Sequence, residues 1–169
     1  MSNKTALVTG ASDGIGAEFL EILAGRSYDL ILVARREEKL NQLAERVTRE
    51  FGVDCTVMVS DLSEPNAAQN LFQRIEERGL QVNFLINNAG LLHNGFFTKL
   101  SLEAQEKMIH VNVLALTALT HLYAAKMSSD GGGHILNVAS LAGWMAIPNQ
   151  NVYAASKAYV VSFSQALSN

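Results

Sequence analysis

Short, continuous runs of apolar residues alternate along the chain with longer segments in which apolar residues recur every three to four positions. The runs are residues 5–9, 29–34, 54–59, 82–87 and 134–139. A continuous apolar run is typical of a strand in a parallel sheet that is covered on both faces, whereas a half-exposed strand alternates. The pattern therefore predicts five buried parallel strands.

The segments between these runs have the spacing of amphipathic helices. Their apolar stripes are Ile15, Phe19, Ile22 and Leu23; Leu40, Leu43, Ala44 and Val47; and Ala68, Leu71, Phe72 and Ile75. Ser63 is predicted to cap the third helix, and Ser101 the segment that leads into a long apolar helix ending near Met127. A last helix is predicted from about Val152 to the end of the sequence.

Alternation of strands and helices with short connections implies right-handed crossovers and a doubly wound, mostly parallel sheet. The predicted fold class is therefore α/β, a Rossmann-type arrangement of three α/β/α layers. No linker, repeat or low-complexity segment divides the sequence, so residues 1–169 are predicted to form a single domain.

Composition excludes several classes of function. Hydrophobic residues make up 49% and charged residues 17%, an ordinary globular mixture, and the net charge of -3 gives no support to nucleic-acid binding. The single cysteine, Cys55, lies in an apolar run and is predicted to be a buried structural thiol. The four histidines lack the spacing of metal ligands, so we expect no metal.

No signal-peptide pattern opens the sequence, and polar residues interrupt its most apolar stretch, Met108 to Met127. This stretch is interpreted as a buried helix rather than a membrane span. We therefore expect a cytoplasmic protein without membrane association.

A glycine-rich turn joins the first strand directly to the first helix. It reads Thr9-Gly-Ala-Ser-Asp-Gly-Ile-Gly16, with glycines at 10, 14 and 16. Gly10 allows a tight turn, and Gly14 and Gly16 allow the backbone to approach a ligand and the helix to pack on the strand. The free N–H groups at the start of the helix then favour a pyrophosphate. Glycines alone are a weak signal, but this position predicts dinucleotide binding.

The second strand ends at Ala34-Arg35-Arg36. An acidic residue near this point would bind the ribose 2′-hydroxyl of NAD, whereas an arginine accommodates the 2′-phosphate of NADP. The neutral Ala34 followed by Arg35 therefore favours NADP(H) over NAD(H). The alternative is that both arginines are solvated charges at a helix start.

A second constellation lies in the last third of the chain. Tyr153 and Lys157 are four residues apart and share a helix face, where the lysine cation favours the phenolate and suits the phenol to acid–base work. Ser140, after the fifth strand, could hydrogen-bond a substrate oxygen. Asn112, inside an apolar helix, needs a partner, and a water relay is one candidate. Each feature alone is more often structural.

These pieces occur together, and the chain resembles the short-chain dehydrogenase/reductase family, in its classical branch. The matching elements are the glycine turn at 9–16, Asp61-Leu62, the Asn-Asn-Ala-Gly sequence at 87–90, Asn112, Ser140, and the Tyr-Ala-Ala-Ser-Lys sequence at 153–157. The resemblance covers nearly the whole chain. Six elements in the right order are far more specific than any one of them.

The resemblance implies a role for each matched position. Tyr153 is the general acid/base, Lys157 holds the nicotinamide ribose, Ser140 orients the substrate, and Asn112 supports a proton relay. The implied cofactor-binding residues are Gly10, Ser12, Gly14, Ile15, Gly16, Arg35, Asp61, Leu62, Asn88, Ala89, Gly90, Tyr153 and Lys157.

Two features depart from the family pattern. Many NADP-preferring relatives have a basic residue in the glycine turn, where this chain has Ser12 and Asp13. Members of this branch also usually have about 250 residues, so the chain is interpreted as the N-terminal portion of such a domain, without its last strands. The apolar residues that follow Ser140 line the remaining substrate pocket or are ordinary loop packing.

The leading prediction is an NADP(H)-dependent oxidoreductase that interconverts a ketone or aldehyde with an alcohol. One alternative is a dinucleotide-binding module without turnover, and a further one is a 3-oxoacyl-thioester reductase. By the resemblance, we expect a homodimer or homotetramer formed through the long helices at about 104–127 and 152–168.

Overall fold

A computed structural model describes residues 4–168 and shows five parallel strands in one sheet. The strands are β1 (Thr5–Thr9), β2 (Asp29–Ala34), β3 (Cys55–Val59), β4 (Val82–Asn87) and β5 (His134–Asn137). Their order in the sheet is β3-β2-β1-β4-β5. The predicted doubly wound, Rossmann-type fold is confirmed.

Helices connect successive strands. They are α1 (Gly14–Ala24), α2 (Glu37–Phe51), α3 (Ala67–Glu76), α4 (Leu102–Ile109), a π-helical segment (His110–Ala115), α5 (Leu116–Ser129), a single 3₁₀ turn (Leu141–Gly143) and α6 (Asn151–Leu167). As predicted, the Ser101 hydroxyl caps α4 by accepting from the Ala104 N–H at 3.2 Å.

Two hydrophobic cores lie on opposite faces of the sheet, because neighbouring residues of a strand point to opposite sides. On one face, Leu7 and Ile31 pack with residues of α3 and α5, including Tyr123. On the other, Val8 and Leu32 pack with residues of α1 and α2. The continuous apolar runs of β1 and β2 thus contribute side chains to both cores.

The long apolar helix of the sequence is continuous from Leu102 to Ser129, but its middle is a π-helix. By length and composition this stretch could also cross a membrane, and 44% of its most apolar window is buried inside the domain. Leu119, Tyr123 and Met127 lie in the core on one face of the sheet. These contacts are those of a core helix.

The prediction that Ser63 caps the third helix is wrong. The helix begins at Ala67 after Asn66, and the Ser63 hydroxyl instead donates to the Asp61 carboxylate at 2.7 Å. The same carboxylate oxygen accepts the Ser63 N–H at 3.0 Å. Ser63 thus belongs to a local turn with Asp61, and the helix starts about one turn after it.

Two strand ends also differ from the prediction. The third strand starts at Cys55 rather than residue 54, and the fifth ends at Asn137 rather than residue 139. The Val138 N–H still donates to the Asn87 carbonyl at 3.0 Å, but the Val138 carbonyl accepts from the Lys157 ammonium at 2.8 Å. The Lys157 side chain of α6 thus binds the first backbone carbonyl after the end of β5.

Candidate active site

The sheet order reverses between β1 and β4, which both lie at its centre. In open α/β sheets, ligands bind in the crevice outside the carboxyl ends of the strands at such a switch point. Hydrogen bonds join the carboxyl ends of β1 and β4 in this chain. The Thr9 hydroxyl oxygen accepts the N–H groups of Asn88 and Ala89, each at 3.0 Å, and the Asn88 amide donates to the carbonyls of Thr9 and Gly10 at 3.0 and 3.3 Å.

Two glycines of the turn are required by its geometry. Gly10 has φ +66°, in the left-handed region, and a Cβ there would lie 2.9 Å from the Ala89 Cα. A Cβ on Gly16 would overlap the Gly10 carbonyl oxygen. At Gly14, by contrast, a Cβ would meet nothing within 4 Å, so the start of α1 is open on its outer side. The turn therefore has the cradle shape that a pyrophosphate needs.

Most of the predicted cofactor contacts line one cleft of about 340 Å³ above this turn. They are Gly10, Ser12, Ile15, Arg35, Asp61, Leu62, Asn88, Ala89 and Gly90. The other predicted contacts, Gly14, Gly16, Tyr153 and Lys157, do not line it. The cleft thus collects residues from the ends of β1, β2, β3 and β4 at one edge of the sheet.

The charges at the end of β2 are arranged in two pairs. Arg35 lies 3.8 Å from the Asp61 carboxylate, and Arg36 donates to the Ser12 hydroxyl at 2.9 Å and to the Asp13 carboxylate at 3.2 Å. Partial burial opposes ionisation of Asp61, but hydrogen bonds from Ser63 and the nearby Arg35 outweigh it and lower the Asp61 pKa.

Asp13, the acidic residue in the glycine turn, is engaged by three groups. Its carboxylate accepts the Gly14 N–H at 3.0 Å, and Arg36 and Lys39 approach it at 3.2 and 3.5 Å. The Gly14 hydrogen bond, followed by the two cations, lowers the Asp13 pKa. Since both cations face Asp13, they compensate its charge. The glycine turn thus has basic side chains beside it, although its own sequence has none.

Lys157 is a buried cation on α6, 4% exposed. Its ammonium donates to the Val138 carbonyl at 2.8 Å and lies 6.0 Å from the centre of the Tyr153 ring. Burial lowers the Lys157 pKa, because desolvation disfavours the charged form. An ammonium has three donors, and one bond to Val138 leaves capacity for a ligand.

Tyr153 and Ser140 lie on two different elements, α6 and the loop after β5. Tyr153 is half-buried in the first turn of α6, and Ser140 precedes the 3₁₀ turn, where its hydroxyl oxygen accepts the Ala142 N–H at 3.2 Å. That bond uses a lone pair and leaves the Ser140 proton available to donate. The pair can therefore offer two O–H donors, one of them beside a lysine.

Asn112 is fully buried in the π-helical segment, and its side chain is fully bonded. Its oxygen accepts the Leu91 N–H at 2.8 Å, and its nitrogen donates to the Leu91 carbonyl at 2.9 Å and to the Ser156 hydroxyl at 3.0 Å. A Cβ on Gly90 would lie 3.6 Å from both the Asn112 oxygen and the Lys157 nitrogen. Asn112 therefore adjoins the cleft and Lys157, and both polar atoms of its amide have protein partners.

Exposed apolar side chains surround this edge. They lie on the loop after β4 (Leu92, Phe96 and Phe97) and on the loop after β5 (Leu141, Trp144 and Met145). The Gly95 N–H donates to the Asn149 carbonyl at 2.9 Å, which joins the two loops. The second loop and α6 line an open cavity of about 510 Å³. The two apolar loops thus meet directly before α6, the helix that carries Tyr153.

Two residues of the site escaped the sequence analysis. Arg36, rather than Arg35, bonds to the glycine turn, and only the direction of the side chain distinguishes these neighbours. Ser156 stands inside the Tyr153–Lys157 motif, yet a serine among alanines in a helix gives no signal of its contact with Asn112.

Comparison with known proteins places this geometry in a wide family. Residues 4–169 match the model of the short chain dehydrogenase family. A very-long-chain 3-oxoacyl-CoA reductase of Anas platyrhynchos is 36% identical over 168 residues, which are 96% of this chain and 53% of the relative. The chain thus spans about half the length of that relative.

Two solved structures have nearly the same backbone. The bulky-bulky ketone specific alcohol dehydrogenase from Comamonas testosteroni has a TM-score of 0.92 and 34% identity, covering 99% of this chain and 67% of its own. A short-chain dehydrogenase from Sphingobium yanoikuyae, in complex with NADPH, has a TM-score of 0.91 and 38% identity, covering 97% of this chain and 64% of its own.

Proposed function

The chain belongs to the short chain dehydrogenase family of oxidoreductases, and we propose that it carries the NADP(H) site and the catalytic residues of a carbonyl reductase. The proposed reaction interconverts a ketone or aldehyde with an alcohol, with Tyr153 as general acid/base. The observation that carries the proposal is the buried Lys157 beside Tyr153, next to the cleft that most of the predicted cofactor contacts line.

In the direction of reduction, Tyr153 donates its phenolic proton to the substrate oxygen, and Ser140 donates a hydrogen bond to the same oxygen. Both interactions stabilise the charge that develops as the carbonyl is reduced. Lys157 remains a cation next to the phenolate that is left, which stabilises it. The bound cofactor supplies the hydride, and the protein provides position and polarity.

The charges around Arg35 and Arg36 favour NADP(H) over NAD(H). Three cations, Arg35, Arg36 and Lys39, stand here against two carboxylates, Asp13 and Asp61, so an added phosphate meets a surplus of positive charge. Arginine suits a phosphate because its planar donors can bind two oxygens together. The complex of the Sphingobium yanoikuyae relative with NADPH agrees with this preference.

The two apolar loops favour a substrate with apolar groups on both sides of its carbonyl. Trp144 and Met145 are 67% and 64% exposed, and Phe96 is 73% exposed. A ligand that covers such side chains gains the hydrophobic free energy of about 25 cal/mol per Å² of buried apolar area. The Comamonas testosteroni relative is named for its specificity for bulky-bulky ketones, which supports a substrate with large groups on both sides of the carbonyl.

A 3-oxoacyl thioester is a second candidate substrate, because the Anas platyrhynchos relative is a reductase of such compounds. Turnover of a 3-oxoacyl-CoA in preference to a bulky simple ketone would favour it.

We also propose that two copies associate through α4 and α6. Ile109 and Tyr159 are 42% and 38% exposed on these helices and line one apolar groove with Val113 and Ala155. Sedimentation of the purified chain tests this association.

The function is tested by NADPH oxidation with a bulky apolar ketone. We expect Tyr153→Phe to lower kcat by about a thousandfold, the usual contribution of a general acid, while NADPH binding stays unchanged. Tyr28→Phe, before β2 and outside both the cleft and the groove between α4 and α6, is the control and should retain activity. Normal turnover in Tyr153→Phe would contradict the proposed role. NADPH binding by the wild type without turnover of any carbonyl would favour a binding module.

A further inference from the structure

Ser156 connects α6 to the π-helical segment, and no function above uses it. It is 4% exposed, and its hydroxyl makes two hydrogen bonds. It accepts from the Asn112 amide at 3.0 Å and donates to the Tyr153 carbonyl at 2.7 Å. The serine therefore joins the residue that carries the phenol to the buried amide across the helix interface.

Asn112 is itself fixed to the loop after β4. Its other two hydrogen bonds go to the backbone N–H and carbonyl of Leu91, immediately after Gly90 in the cleft. A chain of hydrogen bonds thus runs from the cofactor cleft through Leu91, Asn112 and Ser156 to the backbone of Tyr153. Among the contacts described for residues 4–168, Ser156 is the link of α6 to this amide.

We infer that Ser156 is a positioning residue that fixes the depth and rotation of Tyr153 relative to the cofactor cleft. This inference rests on the proposed function. A displacement of about 1 Å between reacting groups can lower a rate by a hundredfold, so a link of this kind affects the chemical step more than binding. Loss of the hydroxyl also leaves one N–H of Asn112 unpaired in a buried place, which has a cost in stability.

Ser164 is a matched control for this second effect. It lies on the same helix, is partly buried, and accepts from the Asn137 amide at 3.0 Å, as Ser156 accepts from Asn112. Removal of either hydroxyl leaves an amide donor unpaired, but only Ser156 is bonded to Tyr153. A purely structural serine would behave like Ser164.

The first experiment compares Ser156→Ala, Ser156→Thr and Ser164→Ala in steady-state kinetics with NADPH and a bulky apolar ketone. We expect Ser156→Ala to lower kcat at least tenfold with an unchanged KM for NADPH. Ser156→Thr keeps both hydrogen bonds and should restore most of the rate, and Ser164→Ala should resemble the wild type. Equal kcat in the two alanine variants, or a change confined to KM, would overturn the inference.

A second readout does not depend on turnover. In protein labelled with ¹³C-tyrosine, the Tyr153 resonance is assigned by its loss in Tyr153→Phe. We expect it to shift or broaden in Ser156→Ala and to stay unchanged in Ser164→Ala. An unchanged Tyr153 resonance in Ser156→Ala overturns the positioning role, whereas absence of turnover in the wild type contradicts the proposed function alone.

Discussion

The two halves of the site use polar groups in opposite ways. At the cofactor end, Arg36 and Asp13 pair at the surface, with side chains 50% and 68% exposed. At the catalytic end, Asn112 and Lys157 are 0% and 4% exposed and hydrogen-bonded inside the domain. Exposed pairs contribute little to stability and are screened by salt, whereas a buried group left unpaired is costly. The exposed charged side chains at the cofactor end can therefore be replaced with little loss of stability, whereas the buried polar groups at the catalytic end cannot.

The largest expected effect comes from Gly16, where the cofactor end depends on backbone rather than charge. Gly16→Ala places a Cβ against the Gly10 carbonyl oxygen, so the turn and α1 must separate. We expect the free energy of unfolding to fall by about 3 kcal/mol or more, measured by urea denaturation. Gly52→Ala is the control. A Cβ there meets nothing within 4 Å, and its φ of +70° should cost about 1 kcal/mol. Equal losses would show that the turn is not tightly packed.

A smaller effect is expected from the buried charge of Lys157. Because burial lowers its pKa, the unfolded chain binds more protons between that value and about 10.4, the ordinary pKa of lysine. The free energy of unfolding should therefore gain a contribution that rises with pH across this window. Lys157→Met removes the titrating group, so the stability of the wild type relative to this variant should increase from neutral pH towards pH 10.

Urea denaturation of both proteins at several pH values measures this difference. Lys99→Met replaces an exposed lysine and is the control. Its free energy of unfolding should differ from that of the wild type by the same amount at every pH. A difference between wild type and Lys157→Met that is constant or decreases as pH rises would contradict the destabilising burial of Lys157.

The smallest expected effect is on NADPH affinity alone, and it tests the exposed charges at the cofactor end. Arg36→Ala should weaken NADPH binding about tenfold, the loss of one charge-assisted contact to phosphate, with NADH binding unchanged. The difference should shrink in 1 M salt, where exposed charges are screened over about 3 Å. Fluorescence titration with both cofactors checks this, and Arg26→Ala, beyond α1, is the control. Equal weakening of NADH and NADPH binding would exclude a role in recognition of the 2′-phosphate.

Sequence reasoning reached the sheet because its signals are local. The five apolar runs mark the five strands, although β5 is exposed at alternate positions rather than buried. The end of β5 differs from the prediction where Lys157 contacts Val138. The position of the glycine turn likewise follows from the chain. The Ser63 prediction failed because Ser63 belongs to a local turn with Asp61, two residues away, and the helix begins only after Asn66.

The catalytic half depends on contacts that no local pattern encodes. Nothing in the apolar stretch around Asn112 predicts a π-helical segment, and the partners of its amide lie 21 and 44 residues away in sequence. The choice between Arg35 and Arg36 also depends on side-chain direction at the end of β2. Sequence thus identified Asn112, Tyr153 and Lys157 as candidates, but not the hydrogen bonds through Ser156 that connect Asn112 to the Tyr153 backbone.

The π-helical segment has a consequence for how the long helix is kept in phase. Each residue of an α-helix turns the chain by about 100°, and a π-helical segment holds an extra residue relative to an α-helix. If the same sequence formed a regular α-helix throughout, either Asn112 or Tyr123 would be rotated by about 100° away from its present face. The extra residue is therefore the offset that lets one helix face the catalytic site at its start and the core at its end.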